Sequence, residues 1–238
     1  MLLWFLWGMA LALSAAALLV TPPEAATASA APGRGCIALT FDDGPWPETT
    51  ERLLDGLAER GVKATFFLIG SQIEGQEDAV RRMEDEGHQI GLHTWDHVQL
   101  KGLSPGEVCR EITRTREALE PITGPEDFML RPPYGFADDT LRECAGVPII
   151  GWSVDTEDWR DRNVSRIVEA ALDGAEDGAI ILLHDIYDTS VEAALEIADR
   201  LMTEGYWLVT VEELLALHGV APEKGQVYLS AGDKGDAP

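Results

Sequence analysis

Basic residues are scarce in this chain. Its 238 residues hold 18 Lys and Arg against 42 Asp and Glu, a formal net charge of −24. A field of that sign repels nucleic acid and anionic lipid surfaces, so no nucleic-acid partner is expected, while a neutral or cationic glycan is tolerated. No internal repeat occurs, which removes solenoid and propeller architectures. Beyond the N-terminal apolar run there is no second one, so at most one segment can span a bilayer.

Cysteine is also sparse. Cys36, Cys109 and Cys144 have no zinc-cysteine spacing, and three thiols allow one bridge with one left over. In an exported chain that bridge is structural.

Export is what the N-terminus suggests. Met1 to Val20 is almost wholly apolar, no Lys or Arg precedes Arg34, and Ala25 to Ala31 offers the small-residue pattern of a cleavage site. Residues 1–30 read as a signal peptide, or alternatively as an N-terminal membrane anchor, and 31–35 as a linker. Either reading places the rest outside the cytoplasm, with secretion the expectation and a membrane contact only if the apolar segment is retained.

From residue 36 to 218 strand and helix patterns alternate, defining one catalytic domain. Apolar strands fit Cys36 to Phe41, Ala64 to Ile69, Gln89 to Leu92, Met129 to Arg131, Pro148 to Val154, Ala179 to Leu183 and Trp207 to Val209. Helices fit between them, one stopped by Gly61, another opened by Ser104 and Pro105 and closed before Pro121, a third ending at Cys144. Apolar strands separated by helices imply a parallel sheet, either a small (β/α) barrel or an open doubly wound sheet. Residues 219–238, rich in Gly, Pro and small polar residues, are expected to form a loosely ordered tail. Cys36 begins a strand and Cys144 ends a helix, which puts both at the face opposite the active site and favours a bridge between them.

Polar residues out of keeping with a core gather where the strands end: Asp42, Asp43, His93, His97, Arg131, Asp155, Asp158 and His184. That is the face on which α/β folds build active sites. His93 and His97 are four apart, so one turn can aim both imidazoles at a single point, and a carboxylate from another strand completes a three-ligand metal site with open positions. A glycosidase would instead use two acids on different strands and no histidine pair.

Five ordered motifs resemble those of the polysaccharide deacetylase (NodB homology) family: Thr40-Phe41-Asp42-Asp43-Gly44-Pro45, His93-Thr94-Trp95-Asp96-His97, Arg131-Pro132-Pro133-Tyr134-Gly135, Asp155-Thr156-Glu157-Asp158-Trp159 and Leu182-Leu183-His184. The resemblance implies a distorted (β/α) barrel and one divalent metal, usually zinc with cobalt or another ion possible, held by Asp43, His93 and His97. It further implies Asp42 as general base held by Arg131, a Tyr134 backbone N–H for the oxyanion, and His184 as general acid oriented by Asp155 or Asp158. Trp159 and Leu182 would wall the acetyl pocket. The implied activity is removal of N-acetyl groups from a chitin oligomer or peptidoglycan, with an O-acetyl esterase on acetylxylan, or a silent carbohydrate-binding relative, as the alternatives. The acetylated glycan is then the partner, and no stable protein partner is implied.

Overall fold

The computed structural model describes residues 33–235. The signal or anchor expected over 1–30 and the start of the linker lie outside the described residues, within which no helix is long and apolar enough to cross a membrane.

Strands β1 (Gly35–Asp42), β2 (Thr65–Leu68), β3 (Gln89–Leu92), β4 (Met129–Leu130) and β5 (Ile149–Ile150) are linked in turn by helices α1 (Thr49–Arg60), α2 (Glu77–Asp85), α3 (Pro105–Thr123) and α4 (Asp139–Ala145). Next come β6 (Val154–Asp155), the single turn α5 (Asp158–Asp161), α6 (Val164–Asp173), β7 (Ile180–His184) and α7 (Asp188–Thr203). The chain closes with β8 (Tyr206–Leu208), α8 (Val211–Leu217) and β9 (Val227–Tyr228). Side-chain caps start several of the helices. A Ser104–Glu107 capping box opens α3, and Asp138 and Asn163 accept the Leu141 and Arg166 amides at the starts of α4 and α6.

The strand order is β6-β7-β1-β2-β3-β4-β5-β9, with β8 beside the start of β1, and every strand pairing is parallel. This order forces a curl. On a flat sheet β5 and β6 would lie six strand spacings apart, about 29 Å. Four residues lead from Ile150 to Val154, and they reach at most about 14 Å. The sheet must therefore bend round until its ends approach, and an antiparallel bridge from Ala179 to Ser230 ties the two sides. The result is the distorted (β/α) barrel, not the open doubly wound sheet.

Successive strand residues point to opposite faces. Leu39, Phe41, Phe66, Leu68, Ile181 and Leu183 pack outward against helices, including Leu53, Leu57, Ile197 and Leu201. Ala38, Phe67, Met129, Ile150 and Ile180 face inward and meet Val211, Leu214 and Leu215 of α8. The amides of Val211 and Glu212 donate to Thr65 Oγ1 and Gln89 Oε1, at the starts of β2 and β3. Helix α8 thus plugs the N-terminal end of the barrel, leaving the opposite end, where the strands finish, as the open mouth.

Four expectations are corrected. Residues 219–238 do not form a loose tail throughout: Val227 and Tyr228 pair with Ile149 and Ile150 and are 0% and 1% exposed, because without them β5 would leave an unpaired edge. The expected strand over 148–154 is two strands, broken at Gly151-Trp152-Ser153 where the chain crosses between the sheet's ends. Pro121 lies inside α3, in its last turn, where a missing N–H forfeits a single bond and Leu119 stays buried.

The disulfide joins Cys109 to Cys144, with Cα atoms 5.0 Å apart, and Cys36 is free and buried. The helix α4 is too short for the expected arrangement. At 7 residues it spans only about 10 Å, so its end does not reach the far face. Cys109 and Cys144 both sit in the second turn of their helices, and these helices pack side by side.

Candidate active site

At the mouth, a cavity of about 430 Å³ is lined by Asp42, Asp43, His93, His97, Tyr134, Trp152, Asp155, Trp159, Leu182 and His184. Sequence reasoning named all of these except Trp152, which it placed inside a strand. The strand break at Gly151 is what turns that indole toward the site.

Asp42 ends β1, and Arg131 follows β4. The guanidinium is fully buried: Nη1 donates to Asp42 Oδ1 at 2.8 Å and to Thr40 Oγ1 at 2.7 Å. Nη2 and Nε donate to the Gly151 and Ile150 carbonyls at 2.7 and 3.3 Å. A buried charge needs partners of this kind, and these fix the orientation of the Asp42 carboxylate. Its other oxygen, Oδ2, faces His93 Nε2 at 3.7 Å.

His93 follows β3. Its Nδ1 lies 2.7 Å from the Arg131 carbonyl, an acceptor, so Nδ1 carries the proton and Nε2 presents a lone pair to the cavity. Asp43 Oδ1 lies 3.4 Å from that Nε2 and 3.3 Å from His97 Nε2. The oxygen is buried with no hydrogen bond of its own. Burial by itself would raise the Asp43 pKa, but contact with His93 and the nearby His97 and His184 bring it to about 2, so this residue is a carboxylate. One atom from each of Asp43, His93 and His97 lies within 4.8 Å of the others. An orphaned carboxylate oxygen facing two imidazole nitrogens is the donor set of a three-ligand divalent metal site, and these residues fit such an ion.

His184 ends β7 on the other side of the cavity. Asp158, fully buried, meets His184 Nδ1 at 2.7 Å through Oδ1. Its Oδ2 accepts the His184 amide at 2.8 Å and the Ser190 hydroxyl at 2.6 Å. Burial would lower the imidazole's pKa. The hydrogen bond and charge of Asp158, with Asp42 and Asp43, outweigh it and lift it to about 9. The open choice between the two acids of the fourth motif is thereby decided. Asp155 is exposed and its Oδ1 caps the Glu157 amide at 2.9 Å, so as an orienter of His184 it is corrected to a residue of the cavity wall. Its carboxylate is spent on a local turn.

Tyr134 sits at φ 60°, ψ 14° in the turn Pro133–Gly135, a left-handed conformation that carries its ring out to solvent, 61% exposed. Its ring meets His97 edge-on, with centroids 5.0 Å apart. Trp159 is half-exposed at the rim, and Leu182 is buried in the wall.

Several supporting residues carried no signal in the sequence. Asp185, fully buried, accepts from Thr50 Oγ1, which in turn accepts the Trp46 amide. Burial and the charge of Asp43 push the Asp185 pKa up to about 7, with the Thr50 hydrogen bond opposing. It packs so closely under the first motif that a Cβ on Gly44 would lie 2.6 Å from its carboxylate oxygens. Only glycine fits there. Ser190 and Glu111 play comparable supporting parts behind His184 and the histidine loop.

Residues 29–146 match the polysaccharide deacetylase family model. A chitooligosaccharide deacetylase of a Bradyrhizobium strain is 40% identical over 166 residues, covering 67% of this chain and 75% of that protein. The chain belongs to the polysaccharide deacetylase family. The peptidoglycan-N-acetylglucosamine deacetylase of Listeria monocytogenes is 43% identical over 197 residues, 83% of this chain but 42% of that protein, so the chain spans about two fifths of that relative's length. Among solved structures, an acetyl xylan esterase of Clostridium thermocellum with a bound cobalt ion superposes with a TM-score of 0.78 at 33% identity, covering 82% of this chain and 98% of that one.

Proposed function

We propose that this chain is a zinc-dependent hydrolase that removes N-acetyl groups from an acetylated glycan, either peptidoglycan or a chitin oligomer, outside the cytoplasm. The observation that carries the reading is one cavity with three parts: the Asp43, His93, His97 donor set, the Asp42–Arg131 pair, and the His184–Asp158 pair. When bound, the ion supplies Lewis-acid activation of water at neutral pH.

The protein's own groups supply the rest. Asp42 Oδ2, the oxygen not engaged by Arg131, takes the proton of the attacking water. Arg131 fixes the carboxylate so that the oxygen faces the cavity and costs no reorganisation when the charge moves. The backbone N–H of Tyr134 lies at the turn that borders the site and donates to the oxygen of the acetyl group as negative charge builds there. His184 Nε2 gives its proton to the leaving sugar nitrogen, which departs as an amine instead of an amide anion. Asp158 keeps Nδ1 protonated and balances the cationic ring. Leu182, Trp152 and Trp159 form the apolar wall suited to the acetyl methyl group and to excluding bulk water.

The N-acetyl reading is favoured over the O-acetyl one because a relative named as a peptidoglycan-N-acetylglucosamine deacetylase is 43% identical and one named as a chitooligosaccharide deacetylase 40%, against 33% for the acetyl xylan esterase. Zinc is proposed over cobalt on the donor set of two imidazoles and one carboxylate. Secretion is proposed from the apolar first twenty residues and the small-residue stretch after them.

The test is acetate release from chitin oligosaccharides, peptidoglycan and acetylxylan measured side by side with purified protein. Release from an N-acetylated glycan is the expected result. Release from acetylxylan alone moves the protein to the esterases, and glycan depolymerisation without acetate overturns the reading.

A further inference from the structure

The two histidines of the donor set are held in different ways. His93 is anchored by the sheet: its amide donates to the Leu68 carbonyl at 2.9 Å and its Nδ1 to the Arg131 carbonyl. His97 has no such anchor. Among the described residues nothing hydrogen-bonds its Nδ1, and on the cavity side it meets Asp43 Oδ1, 3.3 Å from Nε2, and the rings of His93 and Tyr134. Its place is therefore set by the path of the backbone from residue 94 to 97.

That path is unfavourable by itself. Thr94 and His97 both adopt positive φ, 66° and 54°, a region that costs a non-glycine residue about 1 kcal/mol or more. Such a loop persists only if its surroundings over-determine it. On one side the amides of Gly70 and Ser71 donate to the Thr94 and Trp95 carbonyls, both at 2.9 Å. On the other, Glu111 Oε2 accepts the amides of Trp95 and Asp96, both at 3.0 Å. The Arg114 guanidinium, one helical turn further along α3, lies 4.0 Å from the centroid of the Trp95 ring. The disulfide at Cys109 ties the same stretch of α3 to α4.

We infer that Glu111 is a positioning residue of the metal centre: by holding the Trp95 and Asp96 amides it sets the loop that carries His97 against Asp43 and His93. The inference rests on the metal-site reading above. Loss of the acceptor leaves two loop amides unpaired, lets the backbone relax from positive φ, and withdraws one of three ligands. Groups that orient metal ligands from behind typically account for 10- to 100-fold in affinity, and an effect of about that size is expected.

The experiment is calorimetric titration of zinc into chelator-stripped protein, comparing wild type with Glu111→Ala, Glu111→Gln and Glu111→Asp. Glu111→Ala should bind about 10- to 100-fold more weakly. Glu111→Gln, whose side-chain carbonyl can still accept both amides, should recover most of that loss, which a general loss of helix stability would not do. If Glu111→Ala does not fold, Glu111→Asp, one methylene short of the loop, takes its place and should bind more weakly than Glu111→Gln. Wild-type affinity in Glu111→Ala, or in Glu111→Asp where that is the working variant, overturns the inference alone, as does a Glu111→Gln no better than the variant it is compared with. Absence of zinc binding by the wild type overturns the metal-site reading itself.

Discussion

Asp158 grips His184 at two points, accepting its backbone amide through Oδ2 at 2.8 Å and meeting its ring Nδ1 through Oδ1 at 2.7 Å. Backbone and ring of one residue are thus held by one buried carboxylate, itself held by Ser190. The ring can neither rotate away nor change tautomer while that carboxylate is charged.

The pH profile should carry this signature. His184 has to be protonated to act as an acid, so activity is lost as pH rises through its pKa. That pKa stands near 9 against an ordinary 6.5. A bound cation offsets the charge of Asp43, so the basic limb of kcat/KM should lie between these values. Asp158→Asn should move the limb downward and cut kcat/KM roughly 10²-fold or more. A basic limb that does not move removes Asp158 from this role.

Asp42 and His93 should part ways under substitution. Asp42→Asn keeps the donor set and should bind zinc as wild type does, while turnover falls roughly 10²- to 10⁴-fold. His93→Ala should lose both. Zinc titration beside acetate release separates the two, and equal metal loss in both variants would mean that their roles are exchanged.

The Cys109–Cys144 bridge closes a loop with a sequence separation of 35. On the loop-entropy account, replacing both cysteines by serine should lower unfolding free energy by about 3–4 kcal/mol. A non-reducing peptide map should recover this pair with Cys36 as the free thiol. Recovery of Cys36 in a bridge contradicts the fold around α3 and α4.

Deletion of residues 219–238 should destabilise the domain by several kcal/mol, since it exposes the edge of β5 and removes the buried Val227 and Tyr228. Thermal denaturation of the truncated chain measures this. An unchanged melting temperature would mean that β9 adds nothing.

The parts of the site readable in the sequence share one property: they are polar groups at the ends of apolar strands, where burial makes them conspicuous. Asp42, His93, Arg131 and His184 stand out for that reason. Glu111 does not, because it lies on a helix that also carries Glu107, Glu117 and Glu120, and only the loop lying over it gives it a task. Asp155 and Asp158 are equally polar and three residues apart, so only the turn of α5 shows which one reaches back to β7. Val227-Tyr228 is too short to show a period. The expected Cys36–Cys144 pair rests on the rule that a helix ends at the face opposite the site, and the two turns of α4 do not carry Cys144 that far.

Acetate release from an N-acetylated chitin oligosaccharide, followed on one preparation before chelation, after chelation and after zinc is restored, tests the account most directly. Release that disappears with the metal and returns with it is the expected result. Release that chelation leaves untouched would contradict the assignment of Asp43, His93 and His97 as the centre of the reaction.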